Sequence, residues 1–234
     1  MKKFTVVLII VLLHGLPSCD ILEQIEVSGF DSPTETEIIE GLKEALRIGT
    51  QNGIDVLSRE NGFYGNALLR IPFPPEARVV EEKLRSLGLN KLVDDFIVTM
   101  NRGAERAVQK AAPIFISAIK SMTITDAYNI LHGDDNAATE YFRRKTSTQL
   151  VDAFKPDVKK TLDEVRVTSY WDEITTTYNN IPFTRDVETD LPQYVTEKAV
   201  DGLFIKIEEE EKQIREDPAA RVTEILRKVF GSRS

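Results

Sequence analysis

Apolar residues recur along this chain every three to four positions, and this spacing predicts amphipathic helices over most of its length. The clearest case follows Asp190, which has the side chain of a helix cap, with Pro192 in the expected first turn. The apolar face of this helix is formed by Val200, Leu203, Phe204, Ile207 and Ile214. No alternating pattern long enough for a strand is present. We therefore predict an all-α fold, a single globular bundle of about ten helices.

Residues that favour helix starts and ends predict the positions of the first helices. Ser32, Pro33 and Glu35 are typical of a helix start, with Ser32 as the cap and Pro33 at the first helical position. A separate short helix is predicted over residues 51–59. Residues 67–75 contain three prolines, which favour an extended segment over a helix or a central strand.

The middle of the chain contains several expected helix boundaries. Residues 90–112 predict one long helix that Pro113 breaks or kinks. Asp134 or Asp135 is expected to cap the next helix. Residues 146–149 (TSTQ) resemble a capping box and predict a further, separate start.

The first residues have the features of an export signal. Lys2 and Lys3 precede residues 4–13, which carry no charge and are apolar except for Thr5. As a helix this run is about 15 Å long, roughly half the thickness of a bilayer's hydrocarbon core, so it is too short for a stable span. A basic start, a short apolar run and small residues after it predict a secretory signal peptide.

Residues 16–19 (LPSC) resemble the lipobox of bacterial lipoproteins, with Leu16 three positions before Cys19 and the small residue Ser18 just before it. Pro17 departs from the small or hydroxyl residue that is usual there. The resemblance implies diacylglycerol on the Cys19 sulfur, cleavage before Cys19, and an acyl chain such as palmitate on the new amine. Two or more acyl chains anchor a protein stably to a membrane.

These features divide the chain into three parts. Residues 1–18 are predicted to be a lipoprotein signal peptide, residues 19–31 a tether, and residues 32–231 a single all-α domain. The expected location is the bacterial cell envelope, with the domain held outside the cytoplasm by the acyl chains.

Charge and cysteine content exclude several kinds of chemistry. Asp and Glu number 38 against 30 Lys and Arg, a net charge of −8, which disfavours a nucleic-acid partner. With Cys19 modified, no thiol remains for a disulfide or a cysteine nucleophile. His132 is the single histidine after residue 18, so the usual zinc ligand sets cannot form. We expect no metal and no cofactor, since no phosphate-binding glycine motif is present.

His132 permits two interpretations. A Ser-His-Asp triad would have to use it. Alternatively, His132 lies in the last turn of a helix that Thr123 or Thr125 starts, and Gly133 supplies a left-handed stop. We favour the capping role.

Four segments resemble a bacterial domain-of-unknown-function family, DUF4197: residues 70–74 (RIPFP), 100–105 (MNRGAE), 139–142 (TEYF) and 194–204 (YVTEKAVDGLF). Together with Glu210, Glu211, Ile214, Arg215 and Pro218, which share the resemblance, they spread over nearly all of the predicted mature chain. The resemblance implies a single domain that is often exported and sometimes lipid-anchored. It implies no activity, cofactor or catalytic residue.

Charged residues at helical spacing form a candidate polar site. Arg102 and Glu105 are expected to form an ion pair, either on the surface or facing a cleft, and Glu211 and Arg215 have the favourable i,i+4 order. Glu208 shares a face with Glu211, but a metal would need ligands from another helix. The candidate site comprises Arg70, Asn101, Arg102, Glu105, Glu210, Glu211, Arg215 and Arg221.

Three functions remain open. The favoured one is a lipid-anchored interaction or scaffold module with an envelope protein as possible partner. The second is a binder of a small apolar or amphiphilic ligand in an aromatic-lined pocket several hundred Å³ in volume. The third is a metal-independent enzyme that uses a carboxylate pair, Glu105 with Glu210 or Glu211. The aromatic residues that could line a pocket are Tyr141, Phe142, Phe154, Tyr170, Trp171, Tyr178 and Phe183.

Overall fold

The computed structural model describes residues 34–164 and 189–221 without a gap, together with residues 168, 171, 172, 175, 176, 223–225 and 227. The predicted signal peptide, Cys19 and the tether lie outside the described residues. Tyr170, Tyr178 and Phe183 lie outside them as well.

Helices supply the regular structure of the described residues, which contain no strand, and the all-α prediction is confirmed. The α-helices are α1 (Glu35–Leu57), α2 (Arg78–Ser86), α3 (Asn90–Ala107), α4 (Ala111–Lys120), α5 (Ile124–His132), α6 (Ala137–Glu164) and α7 (Leu191–Glu216). Three short 3-10 turns are Pro75–Ala77, Val108–Lys110 and Pro218–Ala220. The described residues thus hold seven α-helices with defined bounds, fewer than the predicted ten or so, and two of the predicted starts, at residues 51 and 146, lie inside α1 and α6.

The first helix is longer than predicted, since residues 51–57 continue α1 rather than start a second helix. Its cap is Thr34, two residues after the predicted Ser32. The Thr34 hydroxyl accepts a hydrogen bond from the Glu37 amide at 3.3 Å, and the Glu37 carboxylate accepts one from the Thr34 amide at 2.9 Å. These two bonds satisfy donors that the start of a helix leaves unpaired.

The predicted boundary at residues 146–149 is wrong, because α6 runs through it. Inside the helix the Thr146 hydroxyl donates to the carbonyl of Phe142 at 2.7 Å instead of capping a new start. Pro156 also lies within α6. Phe154 and Val158 on either side of it are fully buried, and their packing offsets the hydrogen bond that the proline removes.

The boundary between α3 and α4 falls at Val108–Lys110, before the predicted position at Pro113. Pro113 is the third residue of α4. Residues in the first turn of a helix have no partner for their amide, so a proline costs little there. The proline therefore marks a helix start rather than the predicted end.

A cluster of aromatic rings joins the central helices. Phe115 of α4 lies 5.0 Å from Phe142 of α6 and 6.3 Å from Phe204 of α7, measured between ring centroids. All three side chains are fully buried. The main packing is of α7 against α1, α3 and α6, of α6 against α3 and α4, and of α1 against α4. Burial of these rings supplies much of the apolar stabilisation that holds the bundle together.

A second aromatic cluster fixes the extended segment before α2. Phe73 lies 5.0 Å from Phe96 of α3 and 5.6 Å from Trp171, while Phe96 and Trp171 stack at 5.5 Å. The Trp171 indole donates to the carbonyl of Thr189 at 3.2 Å. The prolines keep this segment out of a helix, and Phe73 attaches it to the core.

The end of α5 confirms the capping role of His132 but not the backbone predicted for Gly133. His132 is the last residue of α5, and its Nδ1 lies 3.0 Å from the carbonyl of Tyr128. Gly133 has φ −81°, outside the left-handed region. The position requires glycine for space instead, since a β-carbon would lie 2.6 Å from the carbonyl oxygen of Asn129.

Candidate functional site

The structure divides the eight candidate residues by the parts of the chain that they contact. The α3 cluster comprises Asn101, Arg102 and Glu105. The α7 cluster comprises Glu210, Glu211, Arg215 and Arg221, of which the last lies just after the helix. The remaining residue, Arg70, is exposed, and its guanidinium lies 4.2 Å from the centroid of the Tyr64 ring. Such a cation–π contact at the surface is worth about 0.5–1 kcal/mol.

Asn101 is fully buried and bonds to the extended segment that follows the first loop. Its Oδ1 accepts from the Ile71 amide at 2.9 Å, and its Nδ2 donates to the Ile71 carbonyl at 2.9 Å. A second Nδ2 bond goes to the carbonyl of Ile97 at 2.8 Å. The Asn101 side chain thus satisfies both backbone groups of Ile71, as a paired strand does in a sheet. Both N–H donors of the Asn101 amide are used.

Glu105 is almost fully buried and holds the loop that follows α1. Its Oε1 accepts from the backbone amides of Phe63 at 3.1 Å and Tyr64 at 3.3 Å. Its Oε2 accepts from Arg102, which confirms the predicted i,i+3 ion pair. Both oxygens therefore have partners within the chain.

Arg102 extends the same contact to the start of the loop. Its Nη2 donates to the side chains of Glu60 at 3.1 Å and Asn61 at 2.9 Å. Asn61 has φ 68°, a left-handed conformation that a tight turn requires. The pair Arg102 and Glu105 thus fixes the path of the chain from Glu60 to Tyr64.

Glu211 supplies the cap of α6, which lies more than 70 residues earlier in the sequence. Its Oε1 accepts from the Ala138 amide at 3.0 Å, and its Oε2 accepts from the Thr139 amide at 2.9 Å. The Thr139 hydroxyl adds a third bond at 2.8 Å. A carboxylate at a helix N-terminus satisfies unpaired amides and interacts favourably with the helix dipole. Asp134 and Asp135, the predicted caps, are exposed.

Arg215 connects this cap to the end of α5. Its guanidinium donates to Glu211 Oε1 from Nη2 at 2.7 Å and from Nε at 3.1 Å, which confirms the predicted i,i+4 pair. The same Nη2 donates to the carbonyl of Ile130 at 2.9 Å, in the last turn of α5. An anion at the start of α6 and a cation at the end of α5 both suit the helix dipoles.

Glu210 faces α1 rather than α6. Its Oε2 accepts from the side-chain amide of Asn52 at 3.2 Å, and its Oε1 lies 3.2 Å from Lys206 Nζ. Burial disfavours the charged form of Lys206, but its bonds to Glu209 and Glu210 outweigh this effect and raise its pKa. The ammonium group is therefore held in its charged form.

Arg221 closes the C-terminus of α7. It is 7% exposed, and its guanidinium donates to the carbonyls of Ile214 at 3.2 Å and Arg215 at 2.9 Å. The last carbonyls of a helix have no partner inside the helix, and a cation beside them also opposes the negative end of the dipole. Arg221 thus acts as a side-chain cap.

The predicted carboxylate pair has two separate sets of partners. Glu105 bonds to Arg102 and to the loop that follows α1, whereas Glu210 bonds to Asn52 of α1 and Glu211 bonds to the start of α6. A general acid and base need to face one substrate from hydrogen-bonding distance. In the described residues Glu105 and Glu211 face backbone amides and an arginine, and Glu210 faces the side chains of Asn52 and Lys206.

Two cavities lie next to the α7 cluster and at the α5–α6 turn. The first, between α1, α6 and α7, has a volume of about 30 Å³, room for about one or two water molecules. The second has a volume of about 320 Å³ and is lined mainly by polar side chains, with Tyr141 as its one aromatic. Phe142 and Phe154, by contrast, are fully buried in the core.

The long-range partners of Glu105, Glu210 and Glu211 could not be predicted from the sequence. Asn52, Phe63, Tyr64 and Thr139 carry no local signal of their role, since each is 41 to 158 positions from the glutamate that it contacts. Among the residues that the structure describes, no group of three or more histidine, cysteine or acidic side chains is placed to hold a metal ion.

The fold, the α3 cluster and the α7 cluster together describe an all-α domain in which buried charged side chains connect helix ends and a loop. The chain belongs to the family described as protein of unknown function DUF4197, whose model matches residues 32–231. No curated protein and no solved structure matches it significantly.

Proposed function

We propose that this chain is a lipid-anchored protein of the bacterial cell envelope whose domain serves as a helical interaction module rather than as an enzyme. One observation carries the proposal for the domain. Each of the four buried charged side chains in the described residues, Glu105, Glu210, Glu211 and Arg221, bonds to another part of the same chain. These groups stabilise the positions of helices and a loop, so the role of the buried charges is structural.

The geometry supports this role better than the rival functions. Catalysis by Glu105, Glu210 or Glu211 would require these carboxylates to release amide groups and the cations Arg102, Lys206 or Arg215, which burial makes expensive to leave unpaired. An aromatic-lined site for an apolar or amphiphilic ligand would need a cavity several hundred Å³ in volume. The apolar cavity between α1, α6 and α7 measures about 30 Å³, and the cavity of about 320 Å³ is lined mainly by polar side chains, with Tyr141 as its one aromatic. A firmly connected helical body suits a protein that presents a fixed surface to an envelope protein.

The N-terminal sequence supports the anchor. Leu16, Ser18 and Cys19 fit a lipobox, and Cys19 is the only cysteine. Fifteen positions separate Cys19 from Thr34, the first described residue. A fully extended chain of that length spans about 50 Å, so the domain would stay close to the membrane surface. No helix among the described residues combines the length and the hydropathy that spanning a bilayer requires.

Mass spectrometry of the N-terminal peptide from the native host tests the anchor directly. We expect residues 1–18 to be absent, with diacylglycerol and a third acyl chain on Cys19. Ser18→Ala should retain the modification, because a small residue remains before the cysteine, whereas Cys19→Ser should lose it. A bare N-terminus on wild-type protein would contradict the proposal.

Fractionation of cells gives a second test. Residues 1–19 are exchanged for the leader of an exported protein that carries no lipid, and we expect the domain to move from the membrane fraction to the soluble envelope fraction. A leader exchange that keeps a lipobox and cysteine is the matched control and should leave the domain on the membrane. Unchanged membrane association without the cysteine would overturn the anchor.

A further inference from the structure

The turn between α2 and α3 exposes apolar side chains that the core does not use. Residues 86–92 (SLGLNKL) are all exposed. The exposed fractions are 63% for Leu87, 42% for Leu89 and 44% for Leu92. A single exposed leucine is ordinary, but three within seven residues form a local apolar surface. We call residues 86–92 the α2–α3 tip.

The backbone of the α2–α3 tip is fixed by its own hydrogen bonds. Gly88 has φ 81°, the left-handed conformation that glycine adopts without a steric penalty. The Leu89 amide donates to the carbonyl of Leu84 at 3.0 Å, and the Gly88 amide donates to that of Arg85 at 2.9 Å. These two bonds define a Schellman motif. The leucines are thus displayed by an ordered turn.

Few contacts hold α2 against the rest of the bundle. The helix packs mainly on α3 and on the 3-10 turn before it, and Val80 is its one buried residue. Val79 on the same helix is 52% exposed. The α2–α3 tip is therefore available to an outside surface without any change in the core.

Charged side chains of both signs lie next to these leucines. Lys83, Arg85 and Lys91 lie within residues 83–92, and acidic residues flank them on both sides. Arg85 is paired with Glu81 at 2.9 Å and with Asp94 at 3.1 Å, and Lys91 is paired with Asp95 at 2.6 Å. Exposed leucines beside long charged side chains match the boundary of a bilayer, where apolar groups reach the acyl chains and charged ends stay among the headgroups.

We propose that the α2–α3 tip inserts its leucines into the interfacial region of the membrane that carries the acyl anchor. The inference rests on the proposed function, because the anchor keeps the domain within about 50 Å of the bilayer. Tethering raises the effective concentration of a weak contact, so three partly exposed leucines are sufficient. The contact would fix which face of the bundle points away from the membrane, towards an envelope partner.

A fluorescent label that reports its surroundings tests the proposal on the full lipidated chain. Leu87→Cys provides the labelling position, and Ile124→Cys on α5 is a matched control because Ile124 is 62% exposed. Each labelled protein is reconstituted into vesicles of phosphatidylethanolamine and phosphatidylglycerol. The readouts are quenching by nitroxide attached to the lipid and quenching by iodide in the water.

We expect the label at position 87 to be quenched by the lipid nitroxide and protected from iodide, and the label at position 124 to show the reverse. Leu89→Ser should weaken the lipid quenching at position 87 severalfold, by about tenfold if the whole side chain enters the apolar zone. Iodide access that is equal at the two positions would overturn the proposal. Equal lipid quenching at both would overturn it too, because the contact would then not belong to the tip.

Labelling of the parent chain separates failure of this inference from failure of the anchor. With Cys19 acylated, protein without an added cysteine should take up no label, and circular dichroism should match among all variants. Uptake of label by the parent chain contradicts the anchor. Because the contact depends on the tether, this outcome overturns the inference together with the anchor, whereas an unlabelled parent chain with equal quenching at positions 87 and 124 overturns the inference alone.

Discussion

Glu105 and Glu211 are two buried carboxylates that accept hydrogen bonds from the same kinds of donor but distribute these donors differently over their two oxygens. Each accepts from two backbone amides and from an arginine on its own helix. Glu105 receives both amides on Oε1 and leaves Oε2 to Arg102. Glu211 receives one amide on each oxygen. Both sites therefore contain an ion pair within one helix. They differ in how the backbone amides are shared, because the helix cap uses one carboxylate oxygen for each amide and the loop contact uses a single oxygen for both.

The largest effect is expected for Glu211→Gln. A glutamine has one carbonyl oxygen, so one of the Ala138 and Thr139 amides would face an NH₂ group, and Arg215 would lose its anion. We expect the free energy of unfolding to fall by about 3 kcal/mol, measured by urea denaturation. Glu208→Gln is the control on the exposed side of α7 and should change stability by no more than about 0.5 kcal/mol. Equal values for the two variants would refute the role of Glu211 as a cap.

Gly202→Ala tests the other side of the loop that Glu105 holds. A β-carbon at Gly202 of α7 would lie 2.7 Å from the Phe63 ring, which is fully buried. We expect a loss of about 2 kcal/mol from overpacking, measured by thermal denaturation. Gly103→Ala is the control, because its β-carbon would meet Val158 at 3.8 Å, and it should gain up to about 1 kcal/mol.

Glu105→Gln should cost less than Glu211→Gln. The amide oxygen can still accept from Phe63 and Tyr64, and Arg102 keeps Glu60 and Asn61 as partners. We expect a loss of about 1 kcal/mol. In the double variant with Gly202→Ala, the loss in the free energy of unfolding should differ from the sum of the two single losses, because both changes act on Phe63. In the double variant of Glu211→Gln with Gly202→Ala, the loss should be closer to that sum. A larger loss than in Glu211→Gln would contradict the comparison.

The smallest effect concerns a cap that is local in sequence. Bonds from the Thr123 hydroxyl and then from its backbone amide lower the pKa of Asp126 below its ordinary value near 3.8. A lowered pKa in the folded state adds stability above the unfolded-state pKa, and this is lost as the pH falls through the folded-state pKa. Asp126→Asn should therefore cost a few tenths of a kcal/mol at pH 7 and less at pH 3. An equal cost at both pH values would exclude the charge as the cause.

Local signals in the sequence located several elements of this protein. Thr123 starts α5 and Asp190 starts α7 because a hydroxyl or carboxylate can bond to an amide three residues later. The pairs Arg102–Glu105 and Glu211–Arg215 were predictable for the same reason, since one helical turn brings their side chains together. The predicted boundary at Thr146 failed because its hydroxyl can bond equally well to the preceding turn.

By itself the sequence determined the all-helical architecture, the local caps and the short-range ion pairs, because each depends on residues within about one turn of helix. Only the tertiary structure decided what the charged residues do. Glu211 caps a helix that starts 74 positions before it, and Glu105 holds a loop 41 to 42 positions away. A buried amide accepts whatever carboxylate the packing brings to it, and that packing depends on the whole core rather than on any single segment.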